Sequence, residues 1–364
     1  MILVLGSLAL CMALLEAGLR IAGVPLREAR ILCFDALLGN VYCPGIEATL
    51  DNQYESTIPV RINRDGMADE DYAREKAPGT LRVALLGDSV AASLYLPPDR
   101  KFERIWERAL STRMGRPVEV LNFAVDGTGT WEQLQLFHLR ARQFRPDFVV
   151  LAFFWGNDVW NNERSLGKGG PDPLKDEYPE VSWKQELRVL HRNANRWLWN
   201  HTLAYQFLRT LAEKTEAILW YRGAVERART EQAAAQAAAQ GAAEPVYDPA
   251  FAWDSEAWKL TRRLILKLDE ESRASGARLA VASLPTLDQL LMPRPLPYAQ
   301  LRAFLGESGI AAFDAFDALY ALPKERLGAL YIGDRVHLTA EGHAAFARAT
   351  TPAMEAWMRT PPGR

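Results

Sequence analysis

Histidine is scarce in this chain and cysteine scarcer: five His and three Cys in 364 residues. Cys11, Cys33 and Cys43 lie upstream of every polar cluster discussed below and show no CxxC spacing. That removes the usual zinc and dithiol redox patterns. Cys33 and Cys43 are compatible with a disulfide or with two free thiols. A positive surplus is missing as well. Lys and Arg number 43 against 45 Asp and Glu, a net charge of −2, whereas nucleic-acid-binding domains ordinarily carry a basic excess. No repeat of fixed period runs through the sequence. What is present is a globular composition, 49% hydrophobic and 24% charged. It is enough for a sizeable core in one large domain or two modest ones.

The N-terminus is the most apolar stretch. Residues 2–15 (ILVLGSLALCMALL) carry no charge, and the apolar character continues past Glu16 and Arg20 to Ala22. Such a run suits a signal-peptide core, and about 20 mostly apolar residues suit a spanning helix. No small-x-small cleavage site follows, and Leu8-Ala9-Leu10-Cys11 is a poor lipoprotein box. The expectation is an uncleaved anchor over 1–23, the alternative being a buried helix of the main domain. Arg20, Arg27 and Arg30 all follow the run. Taken alone, the positive-inside tendency would leave the main domain in the cytoplasm.

Residues 24–80 are polar and turn-rich and read as a connector, with short strands around 58–62. Regular alternation begins after it. Strand patterns fall at 82–86 (RVALL), 118–121 (VEVL), 147–154 (DFVVLAFF), 278–284 (RLAVASL) and 310–313. Helical patterns lie at 102–114 and 131–144 and before the last two strands. Five strands alternating with helices predict an α/β fold with a parallel sheet covered on both faces. The sheet domain is expected in two parts, 81–161 and 256–364. Between them, 162–255 reads as a helical insertion, helical over 186–228 and low in complexity over 230–244 (TEQAAAQAAAQGAAE).

Polar clusters follow the strands at one end. Gly87-Asp88-Ser89 follows the first, 122–130 (NFAVDGTGT) the second, Gly156-Asn157-Asp158 the third, and Asp334-Arg335-Val336-His337 the fifth. In an open parallel sheet the carboxyl ends of the strands form the ligand crevice. Turn chemistry explains polar loops, but not a nucleophile, a glycine, an amide and a histidine on one edge. A Ser hydroxyl needs a base, and His337 is the natural one for Ser89. Asp334 is placed to hold the other ring nitrogen. The oxyanion formed on an ester carbonyl needs preorganised donors. The backbone N–H groups of Ser89 and Gly127 and the amide of Asn157 supply three. The set calls for neither metal nor cofactor.

These residues resemble the SGNH, or GDSL, hydrolases. Gly87-Asp88-Ser89-Val90 matches the first family block, with Val where Leu is commonest. The run from Asn122 to Gly127 matches the second, Trp155-Gly156-Asn157-Asp158 the third with Trp155 in place of a leading glycine, and Asp334 to Leu338 the fifth. The likeness covers roughly 80–160 and 275–358. It implies a three-layer α/β/α, flavodoxin-like fold and serine esterase or acyl-transfer chemistry through an acyl-serine. Together with the apolar N-terminus, it resembles a membrane-anchored bacterial branch whose catalytic domain faces the periplasm or exterior. The implied substrate is an acylated, foremost acetylated, carbohydrate or related small molecule. Two rivals are an O-acetyltransferase for a surface polysaccharide using the same triad, and a non-catalytic carbohydrate-binding or assembly protein on the same scaffold.

Other polar residues have plainer readings. Asp88 and Asp158 read as structural hydrogen-bonding residues, and His138 and His343 as ordinary helix residues. Gly129 competes with Gly127 for the turn. His191 and His201 attract no hypothesis, and Asn200-His201-Thr202 matches a glycosylation pattern only once. Six tryptophans fall between 160 and 253: Trp160, Trp183, Trp197, Trp199, Trp220 and Trp253. They read as core packing first, and as sugar-stacking or membrane-interface side chains second.

Overall fold

The computed structural model describes residues 2–52, 56–166, 172–175, 180–215, 252–291 and 296–361. Along the chain, helix α1 (Ile2–Ile21) is followed by two antiparallel hairpins, β1 (Leu32–Asp35) with β2 (Gly39–Tyr42) and β3 (Glu47–Asn52) with β4 (Ser56–Arg61). Then come β5 (Leu81–Leu86), α2 (Ser89–Ala92), α3 (Phe102–Met114), β6 (Val118–Asn122), α4 (Thr130–Leu139), β7 (Phe148–Phe154) and α5 (Asp158–Leu166). Helices α6 (Trp183–His201) and α7 (203–215) lead to α8 (Glu256–Ala274) and β8 (Arg278–Leu284). The chain closes with α9 (Leu287–Leu291), α10 (Leu296–Glu307), β9 (Ala311–Asp314), α11 (Phe316–Tyr320), α12 (Lys324–Ala329) and α13 (Ala340–Arg359).

The five long-range strands form one parallel sheet in the order β6-β5-β7-β8-β9. The switch in strand order lies at β5 and β7, the place where such sheets open a crevice. All seven residues of β7 are buried, as are five of six in β5. A strand covered on both faces requires continuous rather than alternating apolar character. Helices α3 and α13 pack together on one side, and α4, α5 and α8 form the other layer. Gly115 ends α3 in the left-handed region at φ 66°, a conformation that costs an L side chain. The Ser255 and Thr339 side chains cap α8 and α13.

The stretch that reads as a connector is largely ordered from residue 31 onward. Ile58, Val60 and Ile62 join the core, as does Tyr42. Cys33 and Cys43 form a disulfide across the first hairpin, with Cα atoms 5.0 Å apart. Asn63 accepts from the N–H groups of Asp65 and Met67, each over 2.9 Å, which ties the turn after β4. Asp69 pairs with buried Arg104 of α3 and accepts from the N–H of Asn122. The strand expected around 58–62 is β4, with Ile58, Val60 and Ile62 alternating into the core. Elsewhere charge pairing and side-chain capping order the segment, and neither leaves a hydrophobic period in the sequence.

The chain divides into two compact units, 31–189 with 249–364, and 1–30 with 190–248. The first holds the sheet. Within the second, Glu16 accepts from the N–H of Ala204 over 2.8 Å, and the Trp199 indole donates to the Glu28 carbonyl over 3.0 Å beneath the Arg30 guanidinium. Apolar side chains of α1, among them Leu3, Val4, Leu8, Leu10 and Leu14, are exposed. Among the described residues no helix is long and apolar enough to cross a membrane. The helical pattern expected over 186–228 is broken at Thr202 between α6 and α7, and the low-complexity 230–244 and Trp220 lie outside the described residues. Trp199 is buried and Trp253 packs on Trp258, whereas Trp160, Trp183 and Trp197 are exposed.

Candidate active site

Ser89 is the first residue of α2, immediately after β5. Its neighbour Asp88 caps that helix by accepting from the N–H of Val90 over 2.9 Å. Gly87 is confined: an added Cβ would lie 2.6 Å from Ala91 and 3.1 Å from Ala152. The turn from β5 to Ser89 therefore has no room for a side chain there. His337 ends the loop closed by the Tyr331–Leu338 bridge, two residues before Thr339, the N-cap of α13. Gly342 lets α13 approach this loop, since a Cβ there would fall 2.1 Å from the Leu330 carbonyl oxygen.

The Ser89 Oγ lies 3.0 Å from Nε2 of His337, and Nδ1 of the same ring lies 2.5 Å from Oδ2 of Asp334. The other Asp334 oxygen accepts the backbone N–H groups of Val336 and His337, at 2.9 and 3.0 Å. Partial burial pushes the Asp334 carboxyl up, but the bonds from the His337 ring and the two N–H groups outweigh it and hold the group below the ordinary carboxylate range. An ionised Asp334 keeps the Nδ1 proton on the ring, leaving Nε2 to accept from Ser89. The arrangement can do acyl transfer: Oγ attacks a carbonyl, its proton passes to Nε2, and His337 returns it to the departing alkoxide. Water then cleaves the acyl-serine by the same route.

Two further loops meet this corner. The loop after β6 is fastened to Gly87, whose carbonyl accepts from the N–H of Val125 and the hydroxyl of Thr128, each over 3.1 Å. Gly127 lies between them, exposed, at φ 73°, with open space around its would-be Cβ. Gly129 is a different glycine: a Cβ there would meet Asn161 and Asn162 at 2.8 Å. It serves close packing against α5, whereas Gly127 is exposed. Asn157 is half-buried at the turn between β7 and α5, its Oδ1 unmatched by any protein donor. Its side chain lies against Asp88, whose carboxyl is driven up by burial and partly drawn back by the Val90 N–H and Asn157. Asp158 accepts from the N–H of Phe154 over 2.9 Å, and burial and the charge of Asp88 push it well up. Both aspartates hold turns, as their sequence reading has it.

Trp155, the departure from the family block, points into the core. It is buried and contacts Phe153, Trp258, Tyr298 and Phe316, while its N–H continues the sheet to the Leu284 carbonyl over 3.1 Å.

No protein-family model matches the chain, and no curated protein matches it. Solved structures do resemble it in fold. TesA is 10% identical at a TM-score of 0.41, with 76% of this chain and 98% of that one covered. The esterase EstA from Pseudoalteromonas sp. is 10% identical at 0.40, with 77% and 99% covered. A variant of Axe2, an acetyl xylan esterase from Geobacillus stearothermophilus, is 12% identical at 0.40, with 78% and 97% covered. At these scores the likeness adds nothing to the geometry.

Three side chains lie near the Ser89–His337–Asp334 chain, and none of them is given a role there by the sequence. The Tyr95 ring stands edge-on to His337, with centroids 5.1 Å apart. His343, read as an ordinary helix residue, is fully buried behind it and within 3.5 Å of the Tyr95 hydroxyl. Asp126 sits beside Gly127 in contact with Tyr42. Tyr95 and Tyr42 stand outside the motif blocks, and nothing in their spacing marks them. His138 pairs with Glu271 over 2.8 Å, an ordinary link between α4 and α8. Among the described residues no cluster of His, Cys, Asp and Glu could hold a metal ion.

Proposed function

We propose that this chain is a serine esterase of the SGNH type, cleaving a small acyl group, acetyl foremost, from a carbohydrate or related ester through an acyl-Ser89 intermediate. The observation that carries the reading is the unbroken chain from Ser89 Oγ through His337 to Asp334, at 3.0 and 2.5 Å. Side chains 248 residues apart in sequence are held there by a crossover sheet, which turn chemistry alone does not require. Ser89, Gly127 and Asn157 are the oxyanion donors in this reading, supported by the glycine geometry and by the loops tied to Gly87. A membrane-attached enzyme facing the periplasm or exterior accounts for the exposed apolar side chains of α1, and the Cys33–Cys43 disulfide suits an oxidising compartment.

The test is hydrolysis of p-nitrophenyl acetate and longer-chain esters by the intact protein, beside Ser89→Ala and His337→Ala. Each substitution is expected to lower kcat by about three orders of magnitude or more. Equal rates in the three proteins would end the esterase reading. A rate that collapses beyond short chains supports the acetyl preference.

A further inference from the structure

We propose that Tyr42, a residue of the disulfide-bonded N-terminal hairpin, is a positioning residue that sets the Gly127 N–H for the oxyanion. This rests on the esterase reading above and adds to it a part of the chain outside the motif blocks.

Tyr42 ends β2 and is fully buried. Its hydroxyl donates to Oδ1 of Asp126 over 2.5 Å and accepts the Asp126 backbone N–H over 3.2 Å. One phenol thus grips both the side chain and the main chain of the residue preceding Gly127. The neighbouring loop residues Val125 and Thr128 are fastened to Gly87, but Gly127 itself has open space around it. The Thr128 N–H closes the turn onto the Val125 carbonyl over 3.3 Å, and the phenol clasps the 125–126 peptide and the Asp126 side chain. The Gly127 N–H belongs to the next peptide, which turns about the Cα of the residue so held.

The clasp stands on a firm base. Cys43, the next residue, is bonded to Cys33, and its N–H donates to the Ile31 carbonyl over 2.8 Å. Asp35 at the far end of the hairpin accepts from Arg140, just past α4, over 3.2 Å. The phenol also matches the electrostatics. Burial pushes the Asp126 carboxyl up, and the Tyr42 hydrogen bond is foremost among the contacts that pull it back, ahead of His337 and Lys101.

The experiment compares wild type, Tyr42→Phe, Asp126→Ala and the double variant in the full chain. Phe keeps the buried ring and removes only the hydroxyl. With p-nitrophenyl acetate, Tyr42→Phe is expected to lower kcat about 10- to 100-fold and leave KM within about twofold. The inhibition constant of an alkylboronic acid, which mimics the tetrahedral intermediate, should weaken by the same factor as kcat. The double variant should be no slower than the worse single one, because both break the same clasp. Wild-type kcat and boronate affinity in Tyr42→Phe overturn the proposal, as do losses that multiply. Hydrogen exchange of residues 125–129 separates the two readings. It should quicken in Tyr42→Phe even if wild type turns over no ester, and unchanged exchange overturns the clasp whatever the activity.

Discussion

The backbone N–H of Phe102 donates to Nδ1 of His343 over 3.1 Å, which commits the ring proton to Nε2. That proton faces the Ser93 hydroxyl at 3.1 Å, and Ser93 in turn donates to the Val90 carbonyl. The imidazole is satisfied while neutral and stacks on Phe102, with centroids 5.3 Å apart. Burial, followed by the charges of Lys101 and His337, pushes its pKa down to about 3.

A pH dependence of stability follows. The unfolded chain protonates this histidine near its ordinary value of about 6.5, whereas the folded chain does so only near 3. The unfolded state therefore binds more protons in between, and stability falls as pH falls through that window. From pH 7 to pH 5 the loss from this one group is about 2 kcal/mol. Urea denaturation at both pH values reads it, and His343→Gln should flatten the difference. An unchanged slope in the variant would show that another group carries it.

Asp334→Asn should leave the fold in place and remove the carboxylate that holds the Nδ1 proton. The expected loss in kcat is about three to four orders of magnitude with a small change in KM. Far-ultraviolet circular dichroism separates this from unfolding. A variant within tenfold of wild type would mean that the backbone alone orients His337.

Breaking the Cys33–Cys43 bond by replacing both residues with Ser frees a short loop in the unfolded chain. The cost on the loop-entropy model is about 3 kcal/mol, read as a lower urea midpoint. Adding a reductant to wild type should reproduce it, and a midpoint indifferent to both would show that the hairpin is held by its packing.

Trp155→Ala should cost about 3–5 kcal/mol, the usual range for emptying a large aromatic site. Placing Gly there, as the related block has it, should likewise destabilise this protein, because Trp258, Tyr298 and Phe316 are shaped around the ring. Thermal melting decides between this and a tolerant site.

What could be read in the sequence was whatever leaves a local signature. The runs RVALL and DFVVLAFF announce buried strands, and 102–114 is the helix that its apolar spacing predicts. That Ser89, His337 and Asp334 meet was legible because Ser89 sits in one motif after β5 and Asp334 and His337 share a second just before α13. The expected helix over 131–144 instead breaks after Leu139 into a separate 3-10 turn at Ala141–Phe144, since apolar spacing does not register a change of pitch. Of the hairpins over 31–61, the stretch around 58–62 was legible from its alternating Ile58, Val60 and Ile62, and the rest was hidden because a disulfide and charge pairs order it. Tyr42 and Tyr95 were hidden for a related reason: their partners lie 84 and 248 residues away.

Gly342 has no polar group, yet it is where the helix carrying His343 meets the Leu330 carbonyl beneath the His337 loop. Any side chain there must push helix and loop apart. In a saturation library selected for ester cleavage, this position should be depleted as completely as the triad itself. To a survey that scores tolerance without coordinates it would pass for a member of the catalytic machinery, though what it contributes is the absence of a methyl group.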